Sequence, residues 1–185
     1  MGHPWDRPPI PKRGDEHEDI TYTHVGKIIT RWESIEFELS RLYTWLGGSL
    51  HDQALMREYG ACSIFRERAK TLERKAEAFF ANHPNQRREG EFHELLRQAK
   101  GYVNRRSDIA HGILFRIDPI TYFRERIKPQ LLKREHYAII LPLYAYRFAT
   151  PQGFPDFAYT SVEMRRLGQR LWNLQKAFEA WRLAG

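Results

Sequence analysis

Cysteine is nearly absent from this chain. Cys62 is the single thiol in 185 residues. No internal disulfide framework is therefore available, and the pattern fits a reducing compartment better than secretion. Cys62 has no signature neighbour and is expected to be a small buried residue. Long hydrophobic runs are also missing. The longest, residues 137–146, is interrupted by Pro142, whereas a membrane-spanning helix takes about 20 apolar residues. The opening stretch MGHPWDRPPIPKRG lacks the apolar block of a signal peptide. These absences predict a cytoplasmic protein without membrane association. Chemical signatures are equally sparse. No Glu-x-x-His, no His-Glu-x-x-His and no Cys/His zinc spacing occurs, so no metal is expected. Neither a GxxxxGKS/T loop nor a GxGxxG turn is present, so no cofactor of the P-loop or Rossmann kind is expected.

What is present can fold. Apolar residues make up 42%, charged residues 29% and aromatics 14%, which excludes a disordered or collagen-like chain. The length suits one domain. The net charge is +7, and residues 101–150 hold nine basic and four acidic groups, or +5. A basic patch raises the local concentration of a polyanion such as RNA. Net charge alone reads first as a solvated basic surface with no partner, so the charge informs only where it coincides with a site.

Residues 1–19 hold four of the ten prolines and clustered charge, the composition of a flexible N-terminal tail. The domain then runs over 20–185. Val25, Ile28, Ile29, Trp32, Ile35, Leu39, Leu42 and Leu46 recur in steps of three and four, the stripe of a helix ended by Gly47-Gly48. A short helix is predicted over 52–59. A second long one covers 63–81, with Ser63 as cap and His83-Pro84 as stop. A third covers 86–111, where Gly112 suits a left-handed C-terminal cap. Residues 113–150 lose the helical period and gain branched and aromatic residues, which predicts a β-hairpin insertion. There Tyr137, Tyr144, Tyr146 and Phe148 form one packed face or a base-stacking surface. Ser161 is expected to cap a last helix reaching Leu183, with Val162, Leu167, Leu171, Leu174, Phe178 and Trp181 inward. The predicted fold is mainly all-α, a four-helix bundle with a small β-hairpin before the last helix.

The string with chemical content is Asn104-Arg105-Arg106-Ser107-Asp108-Ile109-Ala110-His111-Gly112, at the end of the third long helix. Steps from Phe92, Leu95, Ala99 and Val103 lead to Arg106, which is therefore expected to face the core. A guanidinium there is costly to desolvate unless it is paired or faces a polar cleft. Ser107 and Asp108 lie four and three residues before His111 and share its side of the helix. Arg106 and His111 are about 140° apart on a straight helix, so the long arginine must swing for both to serve one cleft. Read alone, the pair is first a structural arginine and a capping histidine at a helix end.

This string resembles the R-x4–6-H motif of the HEPN superfamily (higher eukaryotes and prokaryotes nucleotide-binding). Arg106-x4-His111, in the form RSDIAHG, fits that motif. The likeness extends to an amphipathic helix with Trp32, Glu33 and Glu36, a second long helix and the motif helix, over about residues 20–115. It implies a HEPN-like bundle and a metal-independent endoribonuclease, with a toxin–antitoxin or phage-defence role and an antitoxin protein as a further partner. Arg106 and His111 would be the catalytic pair, with Ser107 and Asp108 supporting and Arg105 and Asn104 contacting RNA. Relatives commonly carry Asn, Asp or His where Ser107 stands. Ile113 takes the place of a tyrosine that some toxin relatives modify. Metal-free RNA cleavage needs a base, an acid and a cation for the developing charge. One chain offers one suitable histidine, so a homodimer with a composite site is expected both from the family and from the chemistry. The alternative is a non-catalytic module of the same fold that binds RNA or a partner protein.

Overall fold

The computed structural model describes residues 2–118, 120–131, 134–142 and 155–184. The elements are α1 (Glu18–Leu46), α2 (Gln53–Gly60), α3 (Phe65–Asn82), α4 (Gln86–His111), β1 (Ile113–Arg116), α5 (Thr121–Arg124), β2 (Tyr137–Ile140) and α6 (Ser161–Leu183). The fold is mainly helical, with a two-stranded antiparallel hairpin ahead of the last helix. The expected aromatics Tyr144, Tyr146 and Phe148 lie outside the described residues, as does most of the loop expected at 150–155. The chain divides into two compact units, Met1–Thr30 with Asn104–Arg170 and Arg31–Val103 with Leu171–Gly185. Helices α1, α4 and α6 contribute residues to both.

In the second unit, segments of α1, α3, α4 and α6 meet in an aromatic cluster. Trp45 packs on Phe79 and edge-on against Trp181, which also meets Phe80 and Phe92. The stripes read from the sequence supply this core: Ile35, Leu39 and Leu42 of α1, Leu72 and Ala76 of α3, and Leu96 and Ala99 of α4 are all sealed. Two carboxylates are buried and partnered. Glu38 holds Arg182 at 2.6 Å, both nearly inaccessible. Glu36 accepts from Arg68 at 2.9 Å, Trp32 at 3.2 Å and Tyr59 at 3.3 Å. The stop of α1 follows from Gly48, whose φ of 90° is the one positive value among the described residues. Ser49 N–H donates to Thr44 C=O and Gly48 N–H to Trp45 C=O, the paired bonds of a Schellman ending. Asp52 caps α2 by accepting from Ala54 and Leu55 N–H. Helix α3 starts at Phe65 with no side-chain cap, so Ser63 does not serve as one.

In the first unit, β1 and β2 pair from Ile113↔Ile140 to Arg116↔Tyr137. Beneath them Ile117, Phe123, Ile127, Ala138, Ile140 and Ala158 form a sealed apolar cluster, with Ile10, Phe115 and Ile120 packed against it. The N-terminal residues differ from the expected loose tail. Asp15 exchanges both backbone hydrogen bonds with Tyr137 at 2.8 Å, and Pro9 bridges Phe157. The Asp15 carboxylate accepts from Ser161 N–H at 2.8 Å, Ser161 Oγ at 2.6 Å and Thr21 Oγ1 at 2.7 Å. The start of α6 is therefore capped by Asp15 and not by Ser161 itself, whose hydroxyl is a donor here. A carboxylate at a helix N-terminus satisfies orphan N–H groups and meets the positive end of the dipole. Val162, expected inward, is 40% exposed.

Candidate functional site

The motif closes helix α4 within the first unit. Its apolar stripe runs Phe92, Leu96, Ala99, Tyr102 and then Arg105, which is 3% exposed, before Ile109. Arg106 is only half-buried. The expectation of Arg106 as the core-facing arginine is therefore corrected by one position. The helix leaves Tyr102 by a step of three, and Tyr102 rather than Val103 is the sealed residue of that turn. Ser107 is half-buried, while Asn104 and His111 are exposed. His111 is the last helical residue.

Gly112 is needed for space and not for a left-handed backbone, because its φ is not positive. A Cβ there would overlap Ile139 Cγ2 and lie 2.7 Å from the Asp108 carbonyl oxygen. Strand β1 starts at the next residue, so glycine lets α4 end directly against β2.

Asp108 does not bond His111 in this structure. Its carboxylate, 4% exposed, takes a two-pronged ion pair from Arg7, Nε at 2.7 Å and Nη2 at 2.9 Å. The Tyr159 hydroxyl donates to it at 2.8 Å. The phenol of Tyr159 is pushed well above its ordinary range by burial first, then by the negative charge of Asp108 and their hydrogen bond, against the pull of Arg105 and Arg7. Tyr159 is accordingly a fixed neutral donor, with no role as a base. The Arg7 guanidinium also stacks over Phe157 at 4.7 Å, and that of Arg105 lies 5.6 Å from the Tyr159 ring. Arg105 Nη1 donates to the Pro4 carbonyl at 3.4 Å.

The structure thus gathers Arg105 and Asp108 with Arg7, Tyr159 and Pro4, a set the sequence reading lacked. Arg7 lies 101 positions from Asp108 and Tyr159 lies 51 away, and no local spacing joins them. Among the described residues, no group of three or more His, Cys, Asp and Glu is placed to hold a metal ion. No described helix is long and apolar enough to cross a membrane. Cys62 is half-buried, its Sγ 3.7 Å from Thr71 Oγ1. No family model, curated protein or solved structure matches the chain.

Proposed function

We propose that this chain is a metal-independent endoribonuclease of the HEPN type, working as a homodimer with Arg106 and His111 as its catalytic pair. The observation that supports it is the ending of α4. The helix runs through the whole motif, and His111 stands at its last residue, open to water. Asp108 is then a positioning residue. Held by Arg7 and Tyr159, it ties the helix end to the surrounding chain.

The chemistry uses the 2′-hydroxyl of RNA as the nucleophile. Its oxygen bonds to phosphorus while the bond to the 5′-oxygen breaks. One imidazole accepts the 2′ proton and a second supplies a proton to the leaving oxygen. Two copies of His111 fill both roles across a two-fold axis. Arg106 offsets the charge that builds on the phosphoryl oxygens. The products carry a 2′,3′-cyclic phosphate and a free 5′-hydroxyl. Toxin or phage-defence activity, with an antitoxin as partner, belongs to the same proposal.

A second reading, a non-catalytic module that binds RNA or a protein, is favoured by one observation. Asp108 is fully engaged and Arg105 is covered, so half of the motif's charged groups serve the fold. The test incubates the protein with single-stranded and structured RNA in EDTA. Cleavage that is lost in both Arg106→Ala and His111→Ala supports the nuclease. Equal cleavage by both variants rejects it. Salt-dependent RNA binding without cleavage selects the second reading.

A further inference from the structure

Residues 3–6 form a self-closed turn. Asp6 N–H donates to His3 C=O at 3.0 Å, and His3 N–H donates to the Asp6 carboxylate at 2.6 Å. Proline occupies the second place of the turn, where its fixed φ suits the geometry. His3 and Trp5 stack outside with ring centroids 4.8 Å apart. The carbonyl of Pro4 uses both of its lone pairs on cations. It accepts from two guanidinium groups at once, Arg105 Nη1 at the end of α4 and Arg170 Nη1 on α6.

This carbonyl is a poor match for what surrounds it. Arg105 is 3% exposed, and its Nε and Nη2 are buried without a hydrogen-bond acceptor. A buried cation left short of acceptors is costly. A phosphate offers charge and several acceptor oxygens, and it meets guanidinium groups through paired, parallel N–H···O bonds that a single carbonyl oxygen cannot make. The turn is also held differently along its length. Pro8, Gly14 and Asp15 are buried, and Pro9 and Asp15 are paired to the chain, whereas Gly2, His3, Pro4 and Asp6 are exposed.

We propose that Arg105 and Arg170 form an anion site for a phosphodiester group, and that the Pro4 carbonyl occupies it as an internal stand-in. The turn at residues 3–6 is a strap across that site. Phosphate displaces the carbonyl, the turn swings away from a hinge near Pro8, and Arg105 gains the acceptors it lacks. The ion pair of Arg7 with Asp108 sets how firmly the strap is held. That the phosphate belongs to RNA rests on the ribonuclease reading above; the two-arginine site itself does not.

The experiment uses the full chain and two probes, a 2′-O-methyl oligoribonucleotide, which lacks the nucleophile, and inorganic phosphate. Affinity and hydrogen exchange at residues 3–7 are read together. The oligomer is expected to speed exchange in the turn. Arg170→Gln is expected to weaken binding at least about tenfold. Arg166→Gln on the same helix, whose side chain is paired with Glu163 at 2.9 Å, should stay within about twofold. Arg7→Gln, which loosens the strap, should bind more tightly than the natural chain. Oligomer binding with unchanged exchange in the turn, or equal affinities for the Arg170 and Arg166 variants, overturns the strap while leaving the nuclease assignment to its own assay. Release of the turn by inorganic phosphate but not by the oligomer upholds the anion site and rejects RNA as its ligand. No response to either probe overturns the inference.

Discussion

Replacing Asp108 by alanine tests the claim that this carboxylate organises the end of α4. Three donors lose their acceptor: Arg7 Nε at 2.7 Å, Arg7 Nη2 at 2.9 Å and the Tyr159 hydroxyl at 2.8 Å. Their environments differ. Tyr159 is 1% exposed, so its hydroxyl is stranded at a cost of about 1–3 kcal/mol. The Arg7 side chain is 37% exposed and regains water, so its share is nearer that of a surface pair, about 1 kcal/mol or less. The total is about 3 kcal/mol, the low end for breaking a buried pair. For a chain of this length that lowers Tm by about 6–12 °C. Thermal and urea unfolding by circular dichroism reads the loss. Hydrogen exchange at β1, β2 and the first turns of α6 locates it in the first unit. Tyr159→Phe removes the stranded donor, so the double variant should be more stable than the sum of the two single losses predicts, by about 1 kcal/mol. A Tm for Asp108→Ala within about 2 °C of the natural chain, or strict additivity with Tyr159→Phe, refutes the reasoning.

Gly112→Ala should destabilise by about 1–3 kcal/mol, because one of the atoms its methyl group meets is backbone; a neutral result in urea unfolding contradicts the close approach of α4 to β2. Glu38→Ala strands Arg182 in the second unit and should cost about 3–5 kcal/mol, whereas Glu38→Leu with Arg182→Met should recover most of that loss in the same assay. Alkali should unfold the protein through its buried phenols. Tyr43 is pushed up to about 12 by burial and then by Glu58, and Tyr59 and Tyr159 are raised as well. Folded pKa values above the unfolded value of about 10 mean that this stability is complete below pH 10 and is lost as pH rises beyond it. A Tm series from about pH 8 to 11.5 should therefore fall above pH 10, less steeply in Tyr159→Phe; a flat series contradicts the burial of these hydroxyls.

The helices were legible because a 3.6-residue period is a local signal. Trp32, Leu39, Leu72, Leu96 and Phe178 are sealed where the spacing put them. The hairpin was legible from the loss of that period after Gly112. The site was legible only as a string. Steps of three and four are both helical, so from Ala99 the stripe can reach Tyr102 and Arg105, or Val103 and Arg106. Packing chose the first, and with it the arginine that is buried.

What escaped the sequence entirely is the role of residues 2–15. Prolines and charge suggested a tail, yet each polar residue that matters there has its partner far along the chain. Arg7 answers Asp108, Pro4 answers Arg105 and Arg170, and Asp15 answers Ser161, 146 positions away. Such pairs have no period, because an ion pair or a hydrogen bond needs only one residue from each segment. Composition cannot separate a charged run that water solvates from one that reaches a buried opposite charge. The distinction lies in the far partner. Asp108 and Ser161 are both buried polar groups that need company, and the local roles the sequence offered them, beside His111 and as a helix cap, gave way to partners in the N-terminal segment.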